Sequence, residues 1–175
     1  MFDFLKRKKN DNDKKELETV SQDIFAVADG DFVAIDAIDD PVFSQKMMGD
    51  GYGITPDNGE IYAPVKGTVM SIFQTKHAVY IKTDSDLEVL VHMGIDTVEL
   101  EGGPFTIAVE EGQKVDKGSK IADVDLAALE SAGKENTMVV IFTNMNEVVD
   151  FEITGQGHVS AGDVLGQVSA SQEQA

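Results

Sequence analysis

Residues 78–93 read Ala-Val-Tyr-Ile-Lys-Thr-Asp-Ser-Asp-Leu-Glu-Val-Leu-Val-His-Met, and they give the clearest indication of the fold class. Two apolar or alternating runs, Ala78–Thr83 and Leu87–Met93, flank a polar turn at Asp84-Ser85-Asp86. Short runs rich in valine and isoleucine that are bounded by turn residues are typical of β-strands. The stretch therefore predicts a hairpin of two antiparallel strands.

Similar short runs recur along the rest of the chain. They are Phe32–Ile38, Lys66–Phe73, Phe105–Val109 and Thr137–Thr143, and the turn signals between such runs include Asp50-Gly51, Asp57-Asn58-Gly59, Glu101-Gly102-Gly103 and Glu111-Gly112. Only Leu126–Ala132 favours a helix, and Gly133 suits its end. We therefore predict an all-β fold, an antiparallel β-sandwich or a barrel-like arrangement, with one or two short helical turns.

The length of 175 residues suggests a single domain. We expect residues 1–22 to form a flexible leader, 23–168 the domain and 169–175 a disordered tail. Phe2, Phe4 and Leu5 lie beside the basic run 6–9, so residues 1–9 could make weak contact with an anionic membrane. The alternative for this segment is a frayed arm.

The composition excludes several functional classes. The formal net charge is −18, from 32 acidic and 14 basic residues, which disfavours nucleic acid and favours a basic protein partner. Simple solubility is the other explanation of that charge. No cysteine is present, so disulfides and thiolate chemistry are excluded. No apolar run reaches about 18 residues, and we expect a cytoplasmic protein, with contact at the inner face of the membrane as an option.

Two of the three histidines fall in neighbouring predicted strands. Side chains alternate between the faces of a strand, so His92 shares a face with Leu90, opposite the core-facing residues Leu87, Val89 and Val91. The same alternation places Thr75 and His77 on one side of the preceding strand. If the two strands pair, His77 can lie across from His92. A histidine in such partly desolvated surroundings stays mostly neutral at pH 7.

Two imidazoles and a hydroxyl in one patch suit phosphoryl transfer through a phosphohistidine. One neutral ring nitrogen attacks phosphorus, while the second ring stabilises the charge on the phosphoryl oxygens. From spacing alone, a structural or inert surface histidine is the alternative. His158 follows Gly155-Gln156-Gly157 and is expected to be exposed and inert.

Five segments carry a resemblance to a known family of bacterial proteins. They are Asp40–Gly51, Ala63–Thr68, Gln74–Ala78, His92–Leu100 and Phe142–Glu147, in that order along the chain. Together they resemble the glucose-type enzyme IIA proteins of the bacterial phosphoenolpyruvate-dependent sugar phosphotransferase system. The third segment is similar to the family's second-histidine segment, and the fourth is similar to the segment around its phosphorylated histidine.

The resemblance implies a β-sandwich of the duplicated hybrid motif type, acting as a phosphocarrier without a cofactor. By position, His92 would accept the phosphoryl group from phospho-HPr and pass it to the IIB domain of a sugar permease. His77 would be its stabilising neighbour, with Thr75 bonded to His77. Regulated metabolic enzymes or transporters are further partners that the resemblance allows. No intrinsic metal is implied, although His77 and His92 could hold one where a partner adds a ligand.

The resemblance also implies a partner-binding rim around the histidines. Its apolar members are Phe43, Met47, Met48, Phe73 and Leu90, and its acidic members are Asp40 and Asp96. Ordinary core packing is the alternative for the aromatic residues and the methionines, and a turn is the alternative for Asp96. Tandem methionines are adaptable at surfaces that bind several partners.

Three other functions compete with this interpretation. A zinc hydrolase of related β fold would need a third protein ligand, and Met93-Gly94 follows His92 where a His-x-His pair would be expected. A biotin or lipoate carrier would need a hairpin lysine flanked by methionines, but Lys66 lies between Val65 and Gly67. A purely regulatory binding protein would not need both histidines.

Overall fold

The computed structural model describes residues 19–171 and shows an all-β chain, as predicted. Its strands are β1 (Thr19–Phe25), β2 (Gly30–Ala34), β3 (Asp50–Pro56), β4 (Glu60–Tyr62), β5 (Gly67–Ile72), β6 (Ala78–Lys82), β7 (Glu88–Met93), β8 (Phe105–Ile107), β9 (Lys114–Val115), β10 (Lys120–Val124), β11 (Met138–Phe142), β12 (Val148–Ile153), β13 (His158–Val159) and β14 (Val164–Ser171). The pairings between them are antiparallel.

The strands form one large sheet and two small ones. The large sheet has the order β13-β2-β3-β11-β7-β6-β5-β9, and the small sheets are β1-β14-β12 and β4-β10-β8. One buried apolar cluster takes side chains from all three sheets, for example Val91, Leu165 and Ile121. The fold is therefore a β-sandwich, and each sheet is open at both edges within residues 19–171.

The hairpin predicted from residues 78–93 is confirmed. Strands β6 and β7 pair antiparallel with Ala78 opposite His92. On the other side of β7, Val139 of β11 lies opposite His92. The predicted alternation also holds, because Leu87, Val89 and Val91 lie in the cluster between the sheets.

A second apolar cluster lies on the opposite face of the large sheet. Leu90, Val139 and Ile141 project to this face and are covered by Ile35 and Phe43. The covering segment contains a 3-10 turn, Ile35–Ala37, and the helix α1, Pro41–Ser44. The predicted strand Phe32–Ile38 is therefore too long, since β2 ends at Ala34 where the chain turns across the sheet.

Helical turns are more numerous than predicted. The helix α2 (Leu126–Ser131) begins at the capping side chain of Asp125, and Gly133 follows its end with φ at 73°. Two further 3-10 turns span Thr97–Leu100 and Met145–Glu147. The predicted helical segment does not include α1, although the start of α1 carries a capping signal. Asp40 accepts from two backbone amides, and Pro41 takes the first helical position.

The turn predicted at Asp50-Gly51 is wrong, because β3 begins at Asp50. Glycine is needed here for close approach of two strands. A Cβ atom on Gly51 would lie 1.7 Å from the carbonyl oxygen of Val140 in β11.

The first and last described strands change the expected domain limits. Thr19 pairs with Ser171, so β1 begins inside the expected leader and β14 extends into the expected tail. The membrane contact expected of residues 1–9 lies outside the described residues. Within residues 19–171, no helix has the length and apolar character to cross a membrane.

Candidate functional site

His92 lies near the end of β7 with its ring fixed by the backbone that follows. Its Nδ1 atom is 2.7 Å from the carbonyl oxygen of Gly94. A carbonyl can only accept, so Nδ1 carries the hydrogen and donates. In the neutral ring, Nε2 is then left with a free electron pair.

His77 lies in the turn between β5 and β6 rather than inside a strand. Strand alternation therefore does not bring Thr75 and His77 together. Lys76 between them has a left-handed φ of 59°, and the chain turns there. Their predicted contact is nevertheless present, because Thr75 Oγ1 lies 2.7 Å from His77 Nδ1.

The two imidazole rings meet in one patch. Their centroids are 4.9 Å apart, and the ring planes are inclined at 78°. The backbone couples them as well, because the Met93 amide donates to the His77 carbonyl at 2.8 Å. The ring of His92 is partly exposed, whereas His77 keeps only 5% of its surface accessible.

Both histidines are held neutral near pH 7. Burial lowers the pKa of His77 to about 4, and the nearby His92 acts in the same direction. Burial also lowers the pKa of His92, while the Gly94 carbonyl and the carboxylates of Asp40 and Asp96 act in the opposite direction. Because the ring of His92 is partly exposed and its Nδ1 is bonded to Gly94, the neutral ring offers Nε2 as a nucleophile at neutral pH.

Acidification should remove more stability from the wild type than from His77→Gln. Between the ordinary histidine pKa of 6.5 and the folded value of about 4, the unfolded chain binds a proton at residue 77 that the folded chain does not. Protonation in this window favours unfolding, by at most about 1.4 kcal/mol per pH unit for one such group.

Urea unfolding at several pH values from 7 down to 4 measures this difference. The free energy of unfolding of the wild type should fall more steeply than that of the variant. Parallel curves would contradict a buried, neutral His77.

Aromatic rings touch both histidines, and two exposed methionines follow the helix α1 along the chain. The Phe43 ring meets His92 edge-on at 5.2 Å, and the Phe73 ring meets His77 at 5.3 Å. Met47 is 69% exposed, and Met48 and Phe73 are also exposed. Phe73, Met47 and Met48 therefore present apolar side chains that are accessible.

Leu90 differs from the expected rim, because it is buried in the second apolar cluster. The segment that carries α1 covers it, so Leu90 supports the surface from below. Phe43 is also mostly buried, although its ring edge touches His92.

The sequence patterns do not predict three features of this region. The Gly94 carbonyl orients His92, and a glycine two residues after a histidine was the available signal. Val42 and Val98 are exposed apolar residues, one in α1 and one in the 3-10 turn that follows Asp96. Valine in a strand-rich sequence gives no signal of exposure by itself.

Residues 19–171 do not offer a complete set of ligands for a metal ion. No group of three or more histidine, aspartate or glutamate side chains is placed there to hold an ion. The two histidines would supply two ligands, fewer than the three or four that protein zinc sites use.

Comparison with known proteins identifies this arrangement. The sequence profile of the family described as phosphoenolpyruvate-dependent sugar phosphotransferase system, EIIA 1, matches residues 22–148. The chain belongs to this EIIA family. An EIIA protein is a phosphocarrier and a phosphotransferase component of that system, as the resemblance implied, and the hydrolase alternative finds no support.

Relatives of this EIIA chain share most of its length. It is 37% identical over 163 residues to the PTS system glucose-specific EIIA component of Halalkalibacterium halodurans, covering 93% of this chain and 92% of that one. It is 48% identical over 149 residues to the glucose-specific EIICBA component of Streptococcus pneumoniae, which is 85% of this chain but only 20% of that relative.

A solved structure supports the EIIA fold directly. The glucose permease IIA of Mycoplasma capricolum superposes with a TM-score of 0.76 at 34% identity, covering 85% of this chain and 96% of that one. The predicted β-sandwich is thus confirmed as the fold of this family.

Proposed function

We propose that Nε2 of His92 accepts a phosphoryl group from phospho-HPr and passes it to the IIB domain of a glucose-type sugar permease. The observation that carries the proposal is the pair of imidazoles at 4.9 Å, with Nδ1 of His92 bonded to the Gly94 carbonyl. In a neutral ring held in this way, Nε2 carries the free electron pair. An EIIA chain must both receive and release a phosphoryl group, and a phosphohistidine at this position meets both needs.

In the acceptance step, one positive charge passes from the imidazole ring of the donor to that of His92. The N–P bond of the protonated donor phosphohistidine breaks as the bond from His92 Nε2 to phosphorus forms, and the donor ring leaves neutral. The positive charge moves to the ring of His92, where the Gly94 carbonyl accepts from Nδ1–H and stabilises it. Both rings keep their hydrogen atoms, so no separate base is required.

The donation step reverses the events at His92. A cysteine thiolate of the IIB domain attacks phosphorus, the Nε2–P bond breaks and its electron pair returns to Nε2. The chain has no cysteine of its own, so that thiolate belongs to the partner.

His77 is proposed to hold the phosphoryl oxygens. The Thr75 hydroxyl and Nδ1 of His77 are 2.7 Å apart, and we assign the hydroxyl as the donor, which places the hydrogen of the His77 ring on Nε2. A fixed N–H donor beside the transferred group stabilises the negative charge on its equatorial oxygens. The pKa of about 4 keeps His77 neutral, so it binds through a hydrogen bond rather than a full charge.

The partner-binding surface is proposed to be an apolar centre with an acidic rim. Phe43, Met47, Met48 and Phe73 supply the apolar part, with Asp40 and Asp96 as carboxylates near His92. The net charge of −18 favours a basic partner for such a surface. Methionine adapts to more than one partner, which suits a carrier that meets HPr and IIB in turn.

The glucose-specific names of the relatives favour a glucose permease as the receiving protein. A cytoplasmic location, membrane contact of residues 1–9 and regulation of metabolic enzymes or transporters stay predictions from the sequence.

Incubation with phosphoenolpyruvate, enzyme I and HPr tests the proposed function. We expect one phosphate per chain, labile in acid and stable in alkali, as a phosphohistidine is. Omission of HPr should prevent labelling. A phosphate that survives acid would instead indicate a phosphoester and would overturn the proposal.

A further inference from the structure

The loop that follows His92 contains a glycine, but hydrogen bonds hold its backbone on both sides of that glycine. Gly94 has a left-handed φ of 86°, and its carbonyl is the acceptor for His92 Nδ1. The direction of that carbonyl decides both the orientation of the His92 ring and the nitrogen that carries the hydrogen. Whatever fixes this carbonyl therefore acts on the reacting Nε2 atom.

The peptide unit between Gly94 and Ile95 is fixed at both of its ends. Its carbonyl accepts from His92, and its N–H, which belongs to Ile95, donates to the Glu135 carbonyl at 3.1 Å. The peptide unit between Met93 and Gly94 is also fixed at its N–H end, because the Gly94 N–H donates to the Thr137 carbonyl at 3.0 Å.

Thr97 fixes the carbonyl end of the peptide unit between Met93 and Gly94. Its Oγ1 donates to the Met93 carbonyl at 2.7 Å, and the residue has 0% of its surface exposed. Its methyl group packs on the Cα of Gly94, since a Cβ added there would lie 2.6 Å from Thr97 Cγ2. The hydroxyl of Thr97 therefore holds the Met93 carbonyl, and its methyl group packs against Gly94.

A charged pair braces the same loop from outside. Lys134, which is mostly buried, bonds to Glu99 in the 3-10 turn that contains Thr97. This contact joins the turn to the segment that supplies the Glu135 and Thr137 carbonyls.

We propose that Thr97 is a positioning residue for phosphoryl transfer: through the Met93 carbonyl it fixes the Gly94 carbonyl, which keeps the hydrogen of His92 on Nδ1 and leaves Nε2 free. The proposal rests on the proposed function of His92. Thr97 does not touch the phosphoryl group and acts through the backbone between Met93 and Gly94.

Thr97→Val tests the hydroxyl, because valine keeps the shape and leaves the buried Met93 carbonyl without its donor. We expect the single-turnover rate of phosphorylation by phospho-HPr to fall about tenfold to a hundredfold, as for a misplaced reacting group. The affinity for HPr should stay within about twofold, because Thr97 is buried. Thr97→Ser, which restores the hydroxyl, should recover most of the rate.

The ¹⁵N spectrum of the unphosphorylated protein separates this proposal from the proposed function. In the wild type, His92 should show a protonated Nδ1 and a bare Nε2, and in Thr97→Val the two nitrogens should move toward averaged values. The spectrum of His92 does not depend on phosphorylation, so it tests Thr97 even if another residue carries the phosphate.

Thr83→Val is the matched control for lost stability. Thr83 is also a buried threonine, and its hydroxyl accepts from the Leu87 amide in the turn between β6 and β7. This variant should lower stability without changing the His92 spectrum or the transfer rate. The proposal is overturned if Thr97→Val keeps the wild-type His92 spectrum, or if Thr83→Val changes that spectrum as much.

Discussion

Replacement of His92 by alanine should abolish phosphoryl acceptance from phospho-HPr, with labelling reduced by at least about 10⁴-fold. The variant loses the Nε2 atom that forms the bond to phosphorus, and no remaining group can replace a covalent intermediate. His77 is close by, but it is almost completely buried and its Nδ1 is bonded to Thr75. It should therefore not take the phosphate in place of His92.

His158→Ala is the matched control for the loss of a histidine. His158 lies on the surface, where its Nε2 bonds to Asp57 at 2.6 Å. This variant should be phosphorylated at the wild-type rate, and its stability reports the cost of removing an exposed ring. Full labelling of His92→Ala would refute the assignment of the phosphorylated residue, while loss of labelling in both variants would refute the distinction between the two histidines.

Replacement of His77 by glutamine should separate acceptance from donation. The amide of glutamine can donate one hydrogen bond, so His77→Gln should still accept phosphate from phospho-HPr within about tenfold of the wild-type rate. It cannot reproduce a ring held by Thr75 at 2.7 Å, and transfer to IIB should fall about 10²–10³-fold. A rapid-quench assay of both half-reactions measures the split.

Thr75 supplies a graded test of the same idea. Thr75→Ser keeps a hydroxyl for His77 Nδ1 and should transfer to IIB nearly as well as the wild type, whereas Thr75→Val should lie between wild type and His77→Gln. Equal loss of acceptance and donation in His77→Gln would show that residue 77 only supports the fold. Transfer to IIB at the wild-type rate by Thr75→Val would show that the Thr75 hydroxyl does not set the tautomer of His77.

Much of the fold could be predicted because strand alternation is a local property. The odd positions Leu87, Val89 and Val91 enter the core, and His92 projects to the other face, as the sequence indicates. Sequence alternation cannot tell whether that other face meets water or a second layer. The burial of Leu90 depends on α1, which crosses the face from a distant part of the chain.

The sequence predicts that His77 and His92 meet, but strand pairing is not what brings them together. The meeting of His77 and His92 does not follow from their strand positions, since Ala78 rather than His77 lies opposite His92. It follows from the left-handed Lys76, which turns the chain before β6 begins. A non-glycine residue in that conformation has no sequence signal of its own.

Thr19 and Ser171 are paired, so the two ends of the described chain lie next to each other. They leave from the small sheet β1-β14-β12, whereas His92 belongs to the large sheet. A covalent tether attached at either end would start from the same point and leave the histidine patch open. In a fused polypeptide, such a tether would make delivery of phosphate to a neighbouring domain an intramolecular encounter, at an effective concentration set by linker length.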